Sequence, residues 1–84
     1  MPEEKVGVVK DYFARIGVAG IELSAPLCAG DTVHVKGHTT DFSQVVNSIQ
    51  IEHQTVSEAG AGSSVGVRVT ERCRGGDVVY RVTP

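Results

Sequence analysis

His38, Asp41 and Ser43 fall within one short stretch, Gly37-His-Thr-Thr-Asp-Phe-Ser43, and are the residue types of a hydrolytic triad. A working triad needs a base oriented by one group, hydrogen-bonded to a nucleophile and facing an oxyanion site, a geometry usually assembled from separate segments. Three residues crowded into one strand connection read instead as a loop shaped by its own side chains, with Asp and Thr capping turn amides. Gly37 lets the chain leave its strand and Phe42 pins the loop to the core. No catalytic residue is assigned and no enzyme is expected. His34, His38 and His53 raise the question of a metal. The four-residue spacing of the first two puts them on one face only in a helix, and no Cys or carboxylate completes a tetrahedral set, so no metal is expected. Glu58-Ala-Gly-Ala-Gly-Ser-Ser-Val-Gly66 looks like a phosphate loop, but no lysine follows the glycines, Val65 stands where the dinucleotide pattern needs glycine, and a strand follows rather than a helix. No cofactor and no GTP binding are expected.

What remains is recognition. Arg72 and Arg74 flank Cys73 beside a glycine turn, and Arg suits bidentate contact with phosphate or carboxylate. They are the first candidate contact. Lys36, His38, Thr39, Thr40 and Asp41 form the second, because loops on a rigid scaffold often carry function. The net charge of −2 argues against a chain held on nucleic acid by bulk electrostatics. The charge is uneven: residues 1–53 carry −3 and residues 54–84 carry +1.

These candidates must be positioned by strands. The chain has 84 residues, 40% of them hydrophobic, with valine prominent and no tryptophan; one domain over residues 1–84 is expected. Residues 5–13, 16–23, 32–37, 43–53, 65–70 and 78–82 read as strands. Val33 and Val35 share one face, as do Val65, Val67 and Val69, with Arg68 outward. Val45, Ile49 and Ile51 share parity, as do Val78, Tyr80 and Val82. The segment 57–64 reads as a loop whose nearest approach to helix is one turn near Glu58 to Ala61. Gly30-Asp31 and Gly76-Asp77 both precede valine-rich strands, a repeated entry device in which glycine relieves the turn and Asp bonds nearby amides. Most of Tyr12, Phe13, Phe42 and Tyr80 are expected in the core. Cys28 and Cys73 form no C-x-x-C pair and read as two reduced thiols. The N-terminus has no apolar leader and no stretch is long enough to cross a membrane, so a cytoplasmic protein is expected.

Six short strands favour closure, which removes exposed edges. The motifs "VGVV", "GVAGIEL", "L-x-x-GD-x-V-x-V-x-G", "A-x-x-G-x-x-VG-V-x-V" and "R-x-GD-x-VY-x-V", in that order over nearly the whole chain, resemble the second domain of translational GTPases such as elongation factor Tu. The chain also looks like small translation-elongation-factor-like proteins. The C-terminal barrel of the collagenase-like peptidase family is similar too, with "KGHTTDF" and "SIQIEH" as the most telling segments. The resemblance implies an all-β, six-stranded closed β-barrel of the translation-factor second-domain type. It implies a non-catalytic binding module of translation or RNA modification, whose partner is RNA or a translation-related protein. The alternative is a protein-interaction subunit that complements a peptidase-like or other enzyme.

Overall fold

The computed structural model describes residues 3–83. Among these residues ten strands form: β1 (Glu3–Phe13), β2 (Val18–Leu23), β3 (Leu27–Cys28), β4 (Thr32–Lys36), β5 (Asp41–Val45), β6 (Ile49–Ile51), β7 (Gln54–Val56), β8 (Glu58–Ala59), β9 (Ser64–Arg68) and β10 (Val78–Val82). The chain is all-β, as its valine-rich runs require. Eight strands make one antiparallel sheet in the order β5-β4-β10-β1-β2-β9-β6-β7, and β3 pairs with β8 separately.

The alternation read from β4 and β9 holds. Val33, Val35, Val65, Val67 and Val69 are buried while Lys36 and Arg68 are exposed. Of the four aromatics only Phe42 is buried; Tyr12 and Tyr80 are half-buried and Phe13 is exposed, because Tyr80 falls on the outer parity of β10 and Tyr12 and Phe13 end β1. Other strands differ for identifiable reasons. The run 43–53 is not one strand: β5 ends at Val45, the chain turns through 46–48, and β6 begins at Ile49. Val45 is therefore exposed and Val46 buried. In β10 the core residue is Val79, and Val78, Tyr80 and Val82 lie on the half-buried outer face. The segment 57–64 holds β8 in place of a helical turn. In β1 two register shifts, between Lys5 and Gly7 and between Val9 and Asp11, put Val6 and Val9 inward three residues apart; a bulge adds a residue and resets the parity.

Two turns repeat atom for atom. The Asp31 amide donates to the Cys28 carbonyl at 3.1 Å, and the Asp77 amide to that of Arg74 at 3.1 Å. Gly30 and Gly76 each have φ of 96°, the left-handed position that a type II turn reserves for glycine. Each Asp carboxylate then accepts the amide three residues back, Cys28 at 2.9 Å and Arg74 at 2.8 Å. The Gly-Asp echo in the sequence is thus a strand-entry device.

The ladder does not close among the described residues, because β5 and β7 remain unpaired edges. A side chain does part of the missing work. Gln44 of β5 donates to the Arg68 carbonyl and accepts from the Thr70 amide, both at 2.7 Å, at the end of β9. The β3–β8 pair is stitched on by Gly30 to Val46 and Ala29 to Ser57 backbone bonds of 2.7 and 2.8 Å. Between these elements lies one apolar cluster drawn from β1, β2, β3, β4, β5, β6, β8, β9 and β10, with Cys73 inside it.

Candidate functional site

The two candidate contacts meet at one end of the sheet. Lys36 closes β4 opposite Val78 on one side and Asp41 on the other. The Gly37 amide donates to the Thr40 carbonyl at 2.7 Å, which fixes the loop between β4 and β5. Gly37 is not there to turn the chain. A Cβ at that position would run into the Asp77 carboxylate, so the glycine makes room for a neighbour. Asp77 is buried and its carboxylate holds the Arg74 amide. One aspartate therefore packs the 37–40 loop against the Arg72–Arg74 turn. Lys36, His38, Arg72 and Arg74 are exposed around it, a convergence that spacing alone could not show.

Three expectations change. Thr40 is buried, so it supports the loop from beneath and offers no outward contact. Asp41 does not cap the loop; it accepts a hydrogen bond from His34 Nε2 on the neighbouring strand. His34 Nδ1 meets Glu3 Oε2 at 2.8 Å. A ring that donates from both nitrogens is an imidazolium, and the Asp41 bond first, then Glu3, raises the His34 pKa above its usual 6.5. The same bond lowers the pKa of exposed Asp41. Arg81, counted in the basic half of the sequence, is consumed by Glu4 and by the Pro26 carbonyl at 2.7 Å. Cys73 is buried and burial, then Asp77, pushes its thiol to about 11. Cys28 is half-buried, and both cysteines are free. His53 sits in the two-residue β6–β7 turn, where Glu52 and His53 have φ of 49° and 67°. The three histidines thus occupy a strand, a loop and a turn; among the described residues no group of three His, Cys, Asp or Glu side chains is arranged to hold a metal ion. No helix there is long and apolar enough to cross a membrane.

Sequence reasoning missed a second feature, on the outer face of β1, β2, β9 and β6. Asp11, Gly20, Gly66 and Gln50 are successive register partners across those strands. The two glycines leave the middle of that row bare. Phe13, 50% exposed, and Ile16, 57% exposed, rise beside it with Val18. The result is an open trough of about 650 Å³. The available signal was a glycine inside each of two strand-like runs.

No family model matches this chain. Its fold is that of the C-terminal domain of a Geobacillus thermoleovorans protein described as a U32 peptidase. The TM-score is 0.89 at 22% identity, over 95% of this chain and 93% of that one. A selenomethionine variant of the same domain superposes with a TM-score of 0.86 over 90% and 96% of the two chains. By sequence, the chain is 40% identical over 77 residues to a Methanocaldococcus jannaschii protein described as an uncharacterized protease, covering 90% of this chain and 19% of that one. It is 40% identical over 78 residues to a Porphyromonas gingivalis collagenase, covering 90% and 22%. The chain thus spans about a fifth of the length of these curated relatives. All three of these proteins are peptidase-related by description and none is described as a translation factor.

Proposed function

We propose that this chain is a non-catalytic protein-interaction module that complements a peptidase-like partner. One observation carries the reading: nine tenths of the chain corresponds to about one fifth of each curated protease relative. The same fold, as a C-terminal domain, ends a protein described as a U32 peptidase. A unit that is a minor part of a larger protein suits attachment and positioning better than autonomous turnover. In this reading the curled sheet, tied by Gln44, serves as a small barrel. The end carrying Lys36, His38, Arg72 and Arg74 contacts an acidic surface of the partner. The translation and RNA-modification reading rests on motif resemblance alone and ranks second.

Affinity capture of the tagged chain from its own cells tests the proposal. A peptidase-type polypeptide retained after nuclease treatment is the expected result. Retention of RNA alone, or of translation factors, contradicts it. The purified chain should hydrolyse no peptide, and turnover abolished by His38→Ala would overturn the non-catalytic assignment.

A further inference from the structure

The row Asp11-Gly20-Gly66-Gln50 leaves an open floor on the outer face of the sheet, beside the β1 register shift between Val9 and Asp11. Glycine weakens a strand interior, because it offers no side chain to pack and loses the most freedom on folding. Neither Gly20 nor Gly66 has a positive φ. A Cβ at Gly20 would meet Asp11 and Phe13 atoms at 3.7 Å, ordinary contact, and at Gly66 it would meet only the Val18 Cγ1 closer than 3.4 Å. Packing within the chain therefore does not require glycine at position 20. A strand glycine often marks a bulge or a close approach of another backbone or ligand; the β1 bulge lies beside Gly20, and the exposed apolar wall over the same floor points to the second role as well.

We infer that this trough binds an extended polypeptide segment of a partner, with apolar side chains on the glycine floor and a basic residue at each end. The reading of the chain as a protein-interaction module underlies this inference, which names the chemistry of one contact. The occupant follows from walls, length and charge. Phe13, Ile16 and Val18 make one wall apolar, and two large exposed hydrophobics side by side gain from being covered. The row crosses three inter-strand spacings, ~14 Å, which is the span of a five-residue extended segment. Asp11 stands at the β1 end, and Glu52 lines the trough beside Gln50 at the β6 end. Neither carboxylate has an ion-pair partner among the described residues, whereas Lys10 is matched by Glu22 at 3.6 Å. Two unmatched carboxylates, Asp11 at one end of the row and Glu52 in the turn after β6 at the other, complement cations at the two ends of a bound segment.

The test uses the full chain labelled with nitrogen-15 and two synthetic probes, acetyl-Lys-Ala-Val-Ala-Lys-amide and acetyl-Glu-Ala-Val-Ala-Glu-amide, whose first, third and fifth side chains share one face when extended. The lysine peptide should shift the Gly20 and Gly66 amide resonances in a saturable way, and the glutamate peptide should not. Gly20→Val should abolish the response at Gly66, and Asp11→Asn with Glu52→Gln should weaken binding several-fold. Gly20→Ala, which adds only a Cβ with room around it, should melt no lower than wild type yet bind more weakly. No shift at millimolar lysine peptide overturns the inference, as does an equal shift with the glutamate peptide or undiminished binding in Gly20→Val. Concentration-dependent shifts without peptide would assign the trough to a second copy of the chain, and shifts at these glycines with a short single-stranded RNA would assign it to nucleic acid; either overturns it. Peptide binding alongside failed capture of a peptidase would keep the trough and remove that partner. The reverse would keep the partner and remove the trough.

Discussion

His34 shows how much a residue's role depends on what other strands bring to it. It lies on the face of β4 opposite Val33 and Val35, and the carboxylates on either side of it come from β1 and β5, so only the folded sheet brings them together. Because its pKa is raised in the folded state, its stabilisation is complete below the unfolded value of about 6.5 and fades as pH rises through the folded value. Asp41, lowered when folded, behaves oppositely: its share is present above its unfolded value and lost as pH falls through the folded one. The wild-type melting temperature should thus decline as the solution is taken from about pH 6 to about pH 8, and His34→Gln should flatten that decline. An identical slope in the variant would show that the clamp does not contribute. The two thiols give a second prediction at this scale. With Cys73 buried and its pKa about 11, a thiol reagent at neutral pH should modify Cys28 alone in the native protein and both cysteines after unfolding, since the thiolate is the reactive form. Arg72 and Arg74 were readable as exposed from residue type alone. Replacing both with alanine should change stability by no more than about 0.5 kcal/mol while weakening partner binding at low salt, and unchanged binding would move the contact elsewhere.

Strands with strict alternation declared themselves: β4 and β9 were legible because valine occupies one parity only. Where apolar residues fill both parities the pattern carries no face, so Val45 and Val46 hid the end of β5, and Val78 and Val79 hid which residue of β10 enters the core. Bulges add a residue without any local composition cue, which is why the inward spacing in β1 was illegible. The Gly-Asp turns were fully legible, since glycine with a following carboxylate specifies both the left-handed position and its cap. The β6–β7 turn was not, because Glu52 and His53 lack the usual Asn-Gly signature. A non-glycine residue there carries strain of about 1 kcal/mol, so His53→Gly should raise stability by roughly that amount in urea unfolding. Gln44 is the counterpart at the sheet's open side. Gln44→Ala removes its bonds to Arg68 and Thr70 and should cost about 1 kcal/mol; no loss would mean that solvent replaces the tie in full.

The molecule as a whole is a curled sheet around one core, with an end that carries Lys36, Arg72 and Arg74 near Asp77 and an apolar trough built on two facing glycines. The β class was legible in the sequence. Closure was not, because a ladder depends on which edges finally meet, and here β5 and β7 do not pair. The candidate contacts at 36–41 and 72–74 were legible as segments but not as neighbours, because a buried aspartate joins them. The trough needed register, which places Gly20 opposite Gly66 from strands whose sequences are more than forty positions apart. Both surface features are suited to holding another polypeptide.

Sedimentation of the purified chain with the peptidase-type protein captured from its own cells, at about 150 mM salt and after nuclease treatment, is the most direct test of that assignment. A discrete one-to-one complex that survives nuclease is the expected result, with Arg72→Ala/Arg74→Ala and Gly20→Val each weakening it. Independent sedimentation of the two proteins, or an association that disappears with the nuclease, would contradict the assignment of this chain as a protein-interaction module of a peptidase-like partner.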